Sequence, residues 1–323
     1  MNNLRYSLAV LMISQAAHAA SLGFASGDID NAHTLSSTIT GPTNQWIYIE
    51  RLKYDTQIWQ IVSTNWIDAF GNCFLTKTNA LDGDFYGIYR ARTTNYAYLS
   101  TNAFGAVAGN LPRGTSLIGN PFANPATNAV VSQILRSPID SVEVYAYRAG
   151  AFTSIASCSS DTWLTDGGLI PLEGVAVVNS GTNQVHFVVS GLVGTNAFSR
   201  NLVAGANLLV SPAYRLLTPN TNVVARTNPQ EYQPVDLLTA GLLGGLANLP
   251  VPTPWSTNQT GLSRLTSHTG TNLYTNFRLP QYGTNWLNGS NTPVSIPLNL
   301  AEGFWLTLPT NRIWSVPGSS VYP

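Results

Sequence analysis

Short runs of β-branched and aromatic residues, set apart by turn clusters, dominate the hydrophobic pattern of the chain. Trp46-Ile47-Tyr48-Ile49, Ile58-Trp59-Gln60-Ile61-Val62 and Phe85-Tyr86-Gly87-Ile88-Tyr89 each predict a strand, because such side chains suit a half-buried pleated surface. Gly41-Pro42-Thr43-Asn44, Phe70-Gly71-Asn72 and Asp82-Gly83-Asp84 predict the turns between them. Farther on, Val142 to Tyr147 alternates as a strand, Ala149-Gly150 turns it, and Phe152 to Ile155 completes a hairpin. The unbroken apolar run Val175 to Val178 predicts a strand buried on both faces. Leu262 to Phe277 predicts another hairpin, around Thr269-Gly270, and Phe304 to Leu308 a final buried strand. Helical periodicity is confined to two stretches. One starts at Asn128 and places Val130, Val131, Ile134 and Leu135 on a single face. The other runs from Asp236 to Leu246 and is weakened by Gly241, Gly244 and Gly245.

Part of this pattern occurs twice. Leu111-Pro112-Arg113-Gly114-Thr115-Ser116-Leu117-Ile118-Gly119-Asn120-Pro121 returns as Leu202 to Pro212, with Gly114 matched by Gly205 and Pro121 by Pro212. A preceding Thr-Asn-Ala-Phe is shared, at Thr101 to Phe104 and Thr195 to Phe198. So is a following Ile-Pro-Leu and Glu-Gly, which pairs Glu173 with Glu302. A repeated Leu-x-x-Gly-x-x-Leu spacing predicts a duplicated β module, its glycine either at positive φ where the chain reverses or kept at an ordinary dihedral for close packing under an aromatic. The expected organisation is a signal segment over 1–19, a sandwich over 20–100, and modules over 101–194 and 195–323. The fold class is all-β: an N-terminal sandwich of fibronectin or immunoglobulin type, then two related β-rich modules with short helices.

Trp59 to Val62, Asp68-Ala69-Phe70-Gly71-Asn72, Phe85-Tyr86 and Tyr89-Arg90-Ala91 together resemble a recurrent fibronectin-III-like segment of exported bacterial proteins. The chain departs from that segment at Leu81-Asp82-Gly83-Asp84. The segments at Leu111 and Leu202 resemble a module of exported β-rich proteins of environmental bacteria. Its later Gly-Glu-Gly-Phe-Phe is matched loosely by Glu173-Gly174-Val175 and well by Glu302-Gly303-Phe304-Trp305. The resemblance implies a scaffold and an exported location, and no activity.

Composition narrows the function classes. Charged residues make up 9% of the chain and the formal net charge is zero, against about 25% charged in ordinary soluble domains. No basic footprint for nucleic acid is present. Lysine occurs only at Lys53 and Lys77, and solubility rests on Asn, Thr and Ser; Thr-Asn alone recurs fifteen times. Weak mutual repulsion favours self-association or surface attachment, although drift in base composition accounts for the low charge equally well. Arg5, the apolar stretch Leu8 to Ile13 and Ala17-His18-Ala19 form the three parts of a secretory signal, with a mature start near Ala20. No later stretch offers the ~20 apolar residues of a spanning helix. In an exported protein Cys73 and Cys158 pair as a disulfide or stand as two buried thiols.

Candidate chemistry is sparse. Glu173 and Glu302 precede the last apolar strand of each copy; the expectation is a turn carboxylate satisfied by backbone N–H groups, rather than an acid, base or ligand. Asp28-Ile29-Asp30-Asn31 and Asp82-Gly83-Asp84 read as Asp-rich turns, and neither forms a calcium loop. His33, His186 and His268 are isolated in sequence. Trp255, Trp286 and Trp314 lie in loop-like settings and are the candidates for an exposed platform that stacks on sugars. The expected protein is an exported, non-enzymatic structural or adhesive surface protein without cofactor or metal. Its expected partners are a cell-surface or extracellular polysaccharide or protein, or further copies of itself. Carbohydrate binding through exposed Trp and Tyr is the second reading and a secreted glycoside hydrolase the third.

Overall fold

In the computed structural model, antiparallel strands carry almost all the regular structure. It describes residues 21–316 apart from segments 53–57, 82–85, 123–128, 194–197, 211–259, 266–273, 280–285 and 295–300 and positions 31, 137, 171 and 309. The expected signal segment, the Asp82-Gly83-Asp84 turn, Asn128 and the helix over Asp236–Leu246 therefore lie outside the described residues. The chain divides into two units, Met1–Ala106 with Ser190–Val193, and Val107–Val189 with Gly194–Pro323.

The first unit holds β1 (Gly23–Ile29), β2 (Leu35–Thr40), β3 (Gln45–Leu52), β4 (Trp59–Ile67), β5 (Asn72–Lys77), β6 (Tyr86–Thr93) and the start of β7 (Ala103–Leu111). One sheet has the order β1-β2-β5, and β7-β6-β3-β4 are four neighbouring strands of a six-stranded sheet. Period-two alternation sorts each strand. In β3, Ile47 and Ile49 are fully buried while Trp46 faces solvent. Ile29, Leu35, Ile39, Ile67, Leu75 and Phe104 join that core, each contributing about 1.5–3 kcal/mol by burial. Between β4 and β5, Asp68 accepts the backbone N–H groups of Phe70 and Asn72 at 2.8 and 2.9 Å. This is the Asx-type turn that Asp-x-x-Gly-Asn encodes. Within β6, buried Tyr89 donates its hydroxyl to the Ala80 carbonyl in the preceding loop.

The second unit continues with β8 (Gly114–Gly119), β9 (Ala129–Val130), α1 (Val131–Ile134), β10 (Leu135–Arg136), β11 (Ser141–Arg148), β12 (Ala151–Ser159), β13 (Thr162–Asp166), β14 (Gly168–Leu169), β15 (Gly174–Asn179) and β16 (Val185–Val193). Then come β17 (Phe198–Leu202), β18 (Gly205–Val210), β19 (Gly261–Leu265), β20 (Tyr274–Arg278), β21 (Trp286–Leu287), β22 (Pro293–Val294), β23 (Gly303–Leu308) and β24 (Arg312–Val316). The hairpin at Ala149-Gly150 and the buried run Val175 to Val178 form β11-β12 and β15.

Two expectations change. The helix expected from Asn128 is a single four-residue turn, α1, entered from an extended Val130 whose side chain caps nothing. Val130 and Leu135 fall instead into β9 and β10, and it is the one helix among the described residues. Phe304 to Leu308 is not the final strand, because β24 follows it and pairs with β17.

Within the second unit, one sheet has the order β13-β12-β11-β15-β8 and another β18-β23-β19-β20-β21-β22. Their contacts are reciprocal. Ile118 bridges Glu302, and Leu209 bridges Glu173. Gly119 N–H donates to Ala301 at 3.1 Å, and Val210 N–H to Leu172 at 3.4 Å. The two accepting residues, Leu172 and Ala301, share a positive φ, 61° and 62°. Leu117, Ala176 and Leu208 form the buried centre between the sheets.

Candidate functional site

The paired residues read from the sequence occupy matching structural settings. Gly114 and Gly205 begin β8 and β18 at φ 104° and 91°, a region that a side chain disfavours. Around Gly205 a Cβ meets nothing within 4 Å, so its constraint is conformational. Gly174 and Gly303 are constrained by packing. A Cβ on Gly174 falls 2.9 Å from the Leu209 carbonyl oxygen, and one on Gly303 falls 3.0 Å from the Leu117 backbone. Pro121 is buried after β8, and Pro212 lies outside the described residues.

Glu173 and Glu302 are satisfied differently from expectation. Each carboxylate is gripped by an arginine, a partner the expectation did not include. Arg148 Nε and Nη2 donate to the two oxygens of Glu173 at 2.9 and 2.7 Å. Arg264 donates in the same bidentate way to Glu302, with its Nη2 at 2.9 Å. A carboxylate entering a packed sheet junction needs strong compensation, and the planar guanidinium fork supplies both bonds at once. Arg148 and Arg264 sit at different register positions. Arg264 lies opposite Phe304, where the corresponding residue opposite Val175 is Ala146. Arg200 stands beside Glu173 as a second cation and donates to the Leu172 carbonyl at 2.9 Å. Burial lowers the Arg200 pKa, and the Glu173 charge partly offsets that. Glu302 borders a cavity of about 300 Å³ that also takes in Asn110, Ser116, Leu117 and Phe187.

The platform expected at Trp255, Trp286 and Trp314 is not displayed. Trp286 and Trp314 are each 2% exposed, and Trp255 lies outside the described residues. Both buried indoles sit on short strands, β21 and β24, whose pairing turns the ring inward. The pairing of Cys73 with Cys158 is likewise absent. Both are free, buried thiols, Cys73 on β5 of the first unit and Cys158 on β12 of the second. Burial, then the Asp68 charge, push the Cys73 thiol up to about 11.

Exposed aromatics gather instead on the outer face of β4-β3-β6 in the first unit. Trp46 lies opposite Trp66, Tyr48 opposite Thr64 and Arg92, and Glu50 opposite Arg90. Trp46 and Trp66 are 53% and 43% exposed, and their rings meet edge to face at 5.3 Å and 65°. Glu50 is buried and accepts Nε of both Arg90 and Arg92 at 2.7 Å. The Arg90 guanidinium lies 4.2 Å over Trp59. The Arg92 guanidinium lies 4.1 Å over Tyr96 and 5.3 Å over Tyr48. Tyr96 projects from the β6–β7 loop, which Thr93 closes by accepting Tyr96 N–H at 2.9 Å. Sequence reasoning missed this face because tryptophan in a strand reads as core. The usable signal was alternation: with Ile47 and Ile49 inward, Trp46 and Tyr48 had to point out.

Compared with protein-family models, with curated proteins and with solved structures, the chain matches none. The reading therefore rests on the geometry. Asp30 accepts the N–H groups of Ala32 and Thr34 at 2.9 and 2.8 Å, and Asp28 accepts that of Ile29 at 2.8 Å, as turn carboxylates do. His186 Nδ1 lies 3.1 Å from Asn110 Oδ1, His33 adopts a positive φ in its turn, and His268 lies outside the described residues. Among the described residues no three His, Cys, Asp or Glu side chains gather to hold a metal, and no helix is long and apolar enough to cross a membrane.

Proposed function

We propose that the protein is an exported, non-enzymatic adhesive protein that engages an extracellular partner through the aromatic face of its first unit. The observation that carries this reading is the set of exposed rings Trp46, Trp66 and Tyr96, held with Arg92 and Arg90 around the buried Glu50. Large aromatics left in solvent and rigidly framed are typical of recognition surfaces. The engagement of Glu173 and Glu302 by bidentate arginines supports a structural role for them, because both oxygens of each carboxylate are occupied.

The same reading takes the first unit as a fibronectin-III-like sandwich. Its supports are a three-stranded β1-β2-β5 sheet, the neighbouring strands β7-β6-β3-β4 of a six-stranded sheet, and buried Tyr89 within β6, bonded back to the preceding loop. The reciprocal bridges Ile118–Glu302 and Leu209–Glu173 support a second unit made from two copies of one module, packed as a symmetric dimer packs. The mature chain then starts near Ala20.

The test couples purified mature chain to beads and measures their detachment under flow from the surface and matrix of the producing cells. Trp46→Ala/Trp66→Ala beads are expected to detach at much lower shear while their thermal melt stays close to that of the parent. Equal retention of both bead types overturns the reading.

A further inference from the structure

We propose that two copies of the chain pair through the free edge of β4, antiparallel and about a two-fold at Asn65. The inference goes beyond the adhesive reading. It concerns the edge of the sheet rather than its aromatic face, and it stands or falls without that reading.

Among the described residues β4 ends its sheet and pairs with β3 alone. The ladder tells which of its peptide groups look outward. Trp46 of β3 accepts Thr94 N–H at 3.0 Å, on the β6 side. On the far side of β6, Thr93 N–H donates to Tyr98 and the Ala91 carbonyl accepts Ser100 N–H, so Arg92 turns its own groups to Tyr48 of β3. Peptide groups along a strand alternate from one neighbour to the other. Trp46 and Tyr48 therefore bond β6, and the residues opposite them on β4, Trp66 and Thr64, point their N–H and C=O groups away from β3.

An open edge is a hazard that folds usually blunt. Asn102 covers β1 by accepting Phe24 N–H at 2.8 Å and donating to its carbonyl at 2.9 Å. β13 carries a bulge and ends on Asp166, β5 ends on Lys77, and β10 and β22 are two residues long. β4 bulges at Val62, where Ile49 and Glu50 face Ser63 and Ile61. Beyond the bulge, residues 63–67 run without charge, proline or glycine, and both Thr64 and Trp66 are exposed.

The limits of that stretch set the register. At its far end Asp68 is already engaged, its N–H with Asn72 at 2.9 Å and its carbonyl with Asn44 at 3.3 Å. Antiparallel pairing held between the bulge and Asp68 sets Thr64 opposite Trp66 of the second copy, Trp66 opposite its Thr64, and Asn65 opposite its Asn65. Each Thr64–Trp66 pair then exchanges both main-chain bonds, and the two indoles lie diagonally, within reach of each other. The segment is thus its own complement, as a two-fold contact requires. With zero formal net charge on the chain, long-range repulsion between copies is weak. A short strand pair with its flanking rings buries on the order of 1,000 Å² in total, the low end for a specific interface, so the expected Kd is on the order of 100 μM.

The experiment is sedimentation velocity of the mature chain from about 1 to 500 μM, a range that brackets that Kd. A reversible monomer–dimer transition is the expected result, and a monomer throughout overturns the proposal. Thr64→Pro removes an outward N–H and leaves the β3 ladder intact. It is expected to melt close to the parent and stay monomeric. Ser63→Pro, whose N–H bonds β3, is expected to melt well below both. A Thr64→Pro variant that still dimerises, or that melts as low as Ser63→Pro, overturns the edge assignment. Asn65→Cys tests the register, because residues directly opposite in a non-hydrogen-bonded pair lie about 4.5 Å apart at Cα, within disulfide reach. With oxidised glutathione it is expected to give a covalent dimer, while Gln60→Cys, across the bulge, does not. Equal cross-linking of the two variants overturns the two-fold at Asn65.

Discussion

Removing the charge of Glu173 and of Glu302 in parallel tests the account of the sheet junction. Glu173 is 2% exposed and lies beside Arg148 and the half-buried Arg200, whereas Glu302 is 15% exposed and meets Arg264 at 28%. In Glu173→Gln the shape is kept, but two guanidiniums lose their counter-charge, and Arg200 is only partly open to solvent. Breaking a buried pair from one side costs about 3–5 kcal/mol. Arg148 is 43% exposed and rehydrates, which lowers the expectation to about 2–4 kcal/mol. The wetter pair at Glu302 is expected to cost about 1–2 kcal/mol in Glu302→Gln. For a domain of roughly 150–250 residues, 1 kcal/mol corresponds to about 2–4 °C in Tm. Calorimetric melts should therefore rank the variants parent, Glu302→Gln, Glu173→Gln. In Arg148→Met/Glu173→Leu, where both members are replaced by apolar groups, part of the loss should return. Equal losses, or a larger loss at Glu302, refute the claim that burial and the second cation set the cost.

Two further outcomes follow from single positions. Gly205→Ala should destabilise by about 1 kcal/mol or more and Gly205→Asn by less, since only φ and not space is limiting there; Gly174→Ala should cost more than either, because its Cβ meets backbone, and a melt series in which Asn at 205 is worse than Ala contradicts the turn assignment. Cys73 should confer an alkaline weakness: with its pKa raised from the usual 9 to about 11, the folded state holds a proton the unfolded state has lost. Stability is flat below pH 9 and falls by up to about 2 kcal/mol as pH rises to 11. A chemical-denaturation series in which Cys73→Ala shows the same slope as the parent sinks that reading.

Most strand positions were legible because period two is written locally. Ile47 and Ile49, or Val142 and Val144, declare an inward face within four residues, and Ala149-Gly150 declares a hairpin by its two neighbours. What failed were properties set by distant chain. Arg148 reaches Glu173 across 25 positions and Arg264 reaches Glu302 across 38; neither partner carries a local signature, so the carboxylates read as turn residues. The tryptophans were misassigned for a related reason. Loop-like neighbours around Trp286 and Trp314 suggested exposure, yet short strand pairings turn both rings inward, while Trp46 and Trp66 look like core and face water. Hydrophobicity states how much a side chain gains from burial; only the register states which face it is on.

The sparse charge acquires a physical sense from these contacts. Arg90, Arg92, Arg148 and Arg264 are each committed to a glutamate at a sheet face or junction. Lysine, a strongly hydrated point charge, suits such positions poorly, whereas the planar guanidinium accommodates a bidentate carboxylate or an aromatic face. These four arginines and three glutamates place charge at sheet faces and junctions, in a chain otherwise rich in Asn, Thr and Ser.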